Sequence, residues 1–375
     1  MVSAGLEGIV AASTRLSHVD GERGELVIAG YPVGELAEYA TFEETTWLLW
    51  HGDLPSLAQL EAFRSELAAA RGLPPATEAL LRECAHARLD PMDALRAAAG
   101  TISLRTDAAA GIVAGMPTIV AAYWRLQNGQ EPITPRLDLG HAASFLYLLN
   151  GHVPDAEQVR GLETYLNTVV DHGLNASTFT ARVITSTGSD LVSAVVGAIG
   201  ALKGPLHGGA PGPALDMVFE IGDASRAEAF LRKKIEAGEK LMGFGHRVYK
   251  VRDPRADVLA KAAERMYTRA GDMSLYTLAR NVETTAIRLL EEYKPGRRLQ
   301  TNVEFYTALL LHGLGLEVPL FTPTFAISRV SGWIAHALEQ QRANRIIRPQ
   351  SEYTGPRDRR WVPLAERSSS VAMST

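Results

Sequence analysis

Apolar residues recur at intervals of three and four from Thr41 almost to Gln341, the spacing that lines one face of an α-helix. Two capping boxes open the series, Thr41-x-x-Glu44 and Ser56-x-x-Gln59, in which a hydroxyl accepts an orphan amide and the residue three later answers reciprocally. Further helices are predicted over roughly 76–88, 92–107, 110–127, 137–149, 155–173, 188–203, 213–222, 225–237, 254–271, 276–293, 302–313 and 323–341. Strand signals are confined to Gly24–Val33 (GELVIAGYPV), where Leu26-Val27-Ile28 behind a glycine turn predicts a short strand or hairpin. This is an all-α pattern, and the lack of a fixed-period repeat argues against a solenoid. Three breaks are richer in glycine than a connector requires: Gly204–Pro213 (GPLHGGAPGP), Gly243–His246 (GFGH) and the 293–301 turn with Pro295-Gly296. Beyond Arg348 the periodicity is lost, and the tail with its Ser368–Ser370 run is expected to fray.

Composition narrows the class. With 375 residues, 46% hydrophobic and 21% charged, the chain is globular and long enough for about two domains at ~150 residues each. A net charge of -4 offers no basic field to a polyanion, so nucleic acid is not an expected partner. One cysteine, Cys84, makes neither an internal disulfide nor a Cys-rich zinc site, and a reducing cytoplasm is the expected compartment. The first residues, MVSAGLEGIVAASTRLSHVDGERG, lack the basic start and apolar core of a signal peptide and read as mature protein. The longest apolar stretches, such as Ile112–Trp124 and Leu191–Leu202, fall short of the ~20 residues a bilayer needs, so no membrane span is expected.

The chemistry concentrates in histidines, arginines and one carboxylate. His207, in GPLHGGAP, lies beside Gly208 and Gly209, which permit close backbone approach to a ligand, and just before a helix start. The positive helix end there would lower its pKa and leave a neutral imidazole able to donate to a carbonyl oxygen; the bland reading is a loop histidine in a tight turn. His246, in GFGHRVYKVRDPRA, follows another glycine pair. Asp253-Pro254 caps the next helix and puts Arg255 in its first turn, where a cation opposes the macrodipole unless an anion offsets it. On the helix over 323–341, Arg329 shares a face with Ala326, Val330, Trp333, His336 and Ala337, so it either pairs internally or faces an anion-receiving cavity. His172 closes a helical pattern at Gly173, where a cation is favourable in itself, and Glu304 sits in a third capping box, Thr301-x-x-Glu304. No HExxH, complete GxGxxG or GxSxG pattern competes with this set.

The runs GPLHGGAP, MGFGHRVYKVRDPRA and NVEFY, in that order, resemble the citrate synthase family. The likeness extends to GLEGIVAASTRLSHVDG, FEETTWLLWHGDLP, DHGLNASTFTAR, ISRVSGWIAHALEQ and RPQSEYTGP, so it spans nearly the whole chain. It implies a two-domain helical fold, with a large domain over 1–208 plus 316–375 and a small mobile domain over 209–315. It also implies a homodimer with a shared active site that joins acetyl-CoA to oxaloacetate and hydrolyses citryl-CoA, with no metal and no cofactor beyond the coenzyme A thioester substrate. By motif match Glu304 takes the methyl proton, His207 holds the thioester oxygen and His246 polarises the ketone. His172, Arg255, Arg329 and the neighbouring subunit's Arg348 bind oxaloacetate. Leu241, Gly243, Gly245 and Lys250 border coenzyme A.

One residue departs from the family pattern. Glu304 stands where Asp is usual, and its extra methylene shifts the carboxylate by about 1.5 Å; a subgroup resembling "citrate synthase 2" shares NVEF. The alternatives are a 2-methylcitrate synthase using propionyl-CoA and a catalytically silent paralogue that binds a thioester or dicarboxylate.

Overall fold

The computed structural model describes residues 4–106, 108–208, 211–246 and 248–367. Gly209 and the Ser368–Ser370 run lie outside them. A small antiparallel sheet comes first, in the order β1 (Ser17–Asp20), β2 (Glu25–Ile28), β3 (Tyr31–Pro32). The predicted hairpin is therefore β2–β3 extended by one earlier strand, whose His18 and Val19 face Val27 and Leu26.

Sixteen α-helices follow among the described residues. The first group is α1 (Val33–Tyr39), α2 (Phe42–His51), α3 (Leu57–Ala69), α4 (Pro75–His86), α5 (Pro91–Ala99), α6 (Ala109–Gln127), α7 (His141–Asn150) and α8 (Ala156–Val169). The second is α9 (Ala176–Ser186), α10 (Leu191–Leu202), α11 (Pro211–Ile221), α12 (Ala224–Glu236), α13 (Pro254–Ala270), α14 (Ser274–Tyr293), α15 (Val303–Gly313) and α16 (Phe321–Arg342). Both opening capping boxes form: Thr41 and Glu44 bond reciprocally at the start of α2, and Ser56 and Gln59 at the start of α3.

Two helices were not expected. α1 begins directly from β3 at Pro32 with no side-chain cap. α9 begins at Asn175, whose side chain accepts from the Thr178 amide. The helix predicted over 155–173 is shorter, ending at Val169.

The described residues form two compact units, one spanning Thr14–Ile346 and the other drawn from Met1–Ser13 and Ile347–Thr375. All the sheet and every α-helix belong to the first unit. There α16 packs against α2, α6, α8, α9 and α10, with Ala326, Ile327, Val330, Trp333 and Ile334 fully buried. At 19 residues α6 is long and apolar enough to cross a membrane, against the expectation for its shorter apolar run. Ala110 to Tyr123 are nevertheless buried throughout, the packing of a core helix. The second unit leaves Trp361 and Leu364 79% and 77% exposed.

Candidate active site

Asp253 starts the site's first half. Its carboxylate accepts from the Arg255 amide as the α13 cap and grips the Arg255 guanidinium through Nε at 3.0 Å and Nη2 at 2.8 Å. Both side chains are buried. The cost of a cation in a first helical turn is thus offset within the chain rather than left to a ligand. Burial opposes the charge on Arg255, but the Asp253 pair more than compensates and its pKa is raised.

His246 lies on the loop before this helix. Its Nδ1 accepts from the backbone amides of Val248 (3.0 Å) and Tyr249 (3.1 Å), so the ring hydrogen sits on Nε2. Burial, then Arg255, hold its pKa down at about 4, leaving a neutral donor at physiological pH. The loop is anchored on both sides. Lys250 is exposed while its amide donates to Gly21 in the β1–β2 turn. The 243–245 backbone pairs with 300–302, where Gly245 donates to Gln300 and Asn302 donates to Gly243. Gly243 is required here, since its φ is +85° and a Cβ would lie 2.8 Å from the Phe305 ring. Gly243 and Gly245 are therefore tied to the 300–302 backbone. Leu241 is buried beside them.

Glu304 corrects the sequence reading. The α15 cap is Asn302, whose Oδ1 accepts from the Glu304 amide, not Thr301. Thr301 instead donates its hydroxyl to Glu283 at 2.7 Å. Buried Glu283 also accepts from Arg252, Arg280 and Tyr306, which fixes the turn that carries Glu304. With no cap to make, the Glu304 carboxylate is free. Burial pushes its pKa up to about 7, against the pull of Arg255, and Asp253 adds to the rise.

The second half gathers around α16. Arg329 is buried, donates Nε–H to the Val169 carbonyl at 2.7 Å and lies over the Phe325 ring at 4.7 Å. It makes no ion pair among the described residues, which leaves its outer nitrogens to an external anion. His207 turns its Nε2 to Ser177, 2.8 Å from Oγ and 3.4 Å from the amide; the hydroxyl also meets Asn175 Oδ1 at 2.8 Å, so it is the amide, a pure donor, that makes Nε2 the acceptor and leaves the hydrogen on Nδ1. Trp333 holds Ser177 Oγ from beneath at 3.0 Å. His207 has a pKa of about 4, as expected in direction, but the causes are burial and the Arg329 charge rather than the helix end.

His172 also differs from expectation. It lies beyond the end of α8, and burial with Arg255, Arg329 and His246 lowers its pKa well below 6.5, so it is neutral and not a helix-terminal cation. Its Nε2 meets the Tyr249 hydroxyl at 3.1 Å. Arg255 acts on His172, His246 and Glu304, and Arg329 on His172 and His207, so these six groups share one electrostatic neighbourhood. Arg348 belongs to the other compact unit and is exposed. Sequence reasoning missed Tyr249 and Ser177; a signal for Ser177 was present in the Asn175 cap just before it. Among the described residues no group of three or more His, Cys, Asp or Glu side chains is placed to hold a metal ion.

Two neutral imidazoles with opposite tautomers, a carboxylate poised near neutrality and buried guanidinium groups suit proton abstraction beside a carbonyl on a dianion. The family model "Citrate synthase, C-terminal domain" matches residues 5–350. The chain belongs to the citrate synthase family. Citrate synthase of Haloferax volcanii is 41% identical, over 97% of this chain and 98% of its own length. The 2-methylcitrate synthase of Shewanella oneidensis is 39% identical, over 98% of each. The crystal structure of citrate synthase from Pyrobaculum aerophilum superimposes with a TM-score of 0.89 at 40% identity, covering 98% of this chain and 95% of that one. A ternary complex of the Thermoplasma acidophilum citrate synthase with carboxymethyl coenzyme A and oxaloacetate gives a TM-score of 0.88 at 31% identity, covering 98% of this chain and all of that one. As a citrate synthase family member the chain is a transferase, built on that family's all-α fold.

Proposed function

We propose that this enzyme condenses acetyl-CoA with oxaloacetate and hydrolyses the citryl-CoA formed, giving citrate and free coenzyme A. The observation that carries the reading is Glu304: a half-buried carboxylate with a pKa of about 7, unused as a cap, acted on by the same Arg255 that lies against His246. Its carboxylate takes a proton from the acetyl methyl group. His207 Nδ1–H donates to the thioester oxygen as charge develops there, so the enol forms without a buried enolate. His246 Nε2–H, with Arg255 behind it, polarises the ketone of oxaloacetate toward attack. The methyl carbon then bonds to the ketone carbon, whose oxygen is protonated. Water finally replaces the thiolate at the thioester carbonyl.

The substrate carboxylates fall to Arg329, His172, Arg255 and a partner subunit's Arg348; two carboxylates suit planar guanidinium groups. Leu241, Gly243, Gly245 and Lys250 are assigned to coenzyme A. A homodimer with shared sites is part of the proposal, supported by the exposed apolar Trp361 and Leu364 on the unit that contains Arg348. So is closure of the 209–315 segment over the substrates, for which solution scattering with oxaloacetate and a coenzyme A analogue is the test. A reducing cytoplasm is the proposed compartment, supported by the buried, unpaired Cys84.

The reading is tested by oxaloacetate-dependent release of free thiol from acetyl-CoA and propionyl-CoA in parallel. Faster release from acetyl-CoA is expected. Faster release from propionyl-CoA would make the enzyme a 2-methylcitrate synthase, and no release from either would make it a silent paralogue.

A further inference from the structure

The end of α8 lies along one face of α16. Ser328 donates its hydroxyl to the Leu166 carbonyl at 2.6 Å, and Arg329 donates Nε–H to the Val169 carbonyl. These are carbonyls that a helix end leaves without intrahelical partners. One turn further along, Gly332 admits the next stretch of chain, since a Cβ there would overlap the Val170 carbonyl oxygen and lie 3.0 Å from an Asp171 carboxylate oxygen. Asp171 is fully buried on that seat.

Its partners are all accounted for. His336 of α16 donates Nε2–H to Oδ1 at 3.1 Å; its tautomer is set because Arg182, a pure donor, meets Nδ1 at 3.1 Å. Arg182 is in turn paired with Glu339 at 2.7 Å. Ser17 of β1 donates to Oδ2 and accepts from the Gly173 amide at 2.9 Å. Thus both residues flanking His172 are tied to the same serine. Burial opposes the Asp171 charge, but His336, then Arg329 and the Ser17 hydroxyl, hold its pKa low.

We propose that Asp171 is a positioning residue for oxaloacetate: through Ser17 and His336 it fixes the turn bearing His172, and with it the adjoining end of α8 whose Val169 carbonyl holds Arg329. The inference rests on the reading above, in which both residues bind the dianion. It reaches the 243–255 loop only through the His172–Tyr249 contact at 3.1 Å and does not touch Glu304, so acetyl-CoA handling should change far less than oxaloacetate binding. Misplacing a binding group by ~1 Å costs up to ~10²-fold, so Asp171→Asn should weaken oxaloacetate binding about 10–100-fold and leave the KM for acetyl-CoA within about threefold.

The experiment is calorimetric titration of oxaloacetate into wild type, Asp171→Asn, His336→Leu and His336→Gln, with acetyl-CoA kinetics at saturating oxaloacetate. His336→Leu should reproduce the loss, and His336→Gln should recover much of it because its amide still donates to Asp171. Wild-type oxaloacetate affinity in folded Asp171→Asn overturns the proposal. If that variant does not fold, equal affinities in the two His336 variants overturn it instead. Wild type that takes up no oxaloacetate would overturn the functional reading, and this inference with it.

Discussion

The site's two histidines are neutral for the same reason and oriented in opposite ways. His207 offers Nε2 to the chain and leaves Nδ1 to carry the hydrogen; its holder is one residue, Ser177, through hydroxyl and amide. His246 offers Nδ1 to two backbone amides, and its Nε2, which the shorter amide bonds leave carrying the hydrogen, lies 3.5 Å from Arg255 Nη2. The difference extends to the arginines. Arg255, beside His246, is ion-paired with Asp253 through Nε and Nη2, whereas Arg329, beside His207, has no ion pair among the described residues and donates Nε–H to a carbonyl. One half of the site is thus an electrostatically closed loop structure, and the other is an open set on helix faces awaiting an anion. Deleting a side chain from the closed half strands a buried charge and costs stability, whereas deleting one from the open half costs anion binding.

The largest effect is expected from Glu304→Gln, which removes the proposed base. Loss of a general base costs ~10²–10⁴-fold in rate, read as thiol release and as isotope exchange at the acetyl methyl group. Stability should move the other way. Glu304 has its folded pKa raised to about 7, so its contribution is full at low pH and is lost as pH rises through 7. At pH 8 the Gln variant should therefore melt at or above wild type. Near-wild-type turnover would place the base elsewhere.

Next comes the arginine pair. Arg255→Leu leaves the buried Asp253 charge unpaired, at about 3–5 kcal/mol of stability, so it should lower the melting temperature sharply. Arg329→Leu removes a buried cation that no carboxylate contacts and should change the melting temperature far less, while oxaloacetate binding falls. Equal destabilisation by the two would erase the distinction between the halves. The smallest effect is expected from Ser177→Ala, which leaves His207 Nε2 only the residue-177 amide; losing one such hydrogen bond should slow turnover roughly tenfold. Unchanged kcat would show that His207 needs no side-chain holder.

What could be read in the sequence was local. The Thr41 and Ser56 capping boxes formed because both partners lie within one helical turn. The Thr301 box did not, because Glu283, far along the chain on α14, takes the Thr301 hydroxyl. Arg329 and His336 were legible as inward-facing from helical spacing alone. α9 was missed because its Asn175 cap has no Glu or Gln three residues on, and Thr178, Thr180, Val183, Ile184 and Thr185 give it a β-branched composition. For His207 the direction of the pKa shift was legible and the cause was not, since Arg329 reaches it only through tertiary packing. Asp253 was read as a cap, yet its second task, neutralising Arg255, depends on a side-chain geometry that spacing does not specify.

The two-tautomer arrangement is tested most directly by nitrogen-15 NMR of the histidine rings, with His207→Gln and His246→Gln spectra to assign them. Between pH 6 and 8 both rings should be neutral, consistent with pKa values of about 4, with the hydrogen on Nδ1 in His207 and on Nε2 in His246. An imidazolium at either position at pH 7, or the same tautomer at both, would contradict the account.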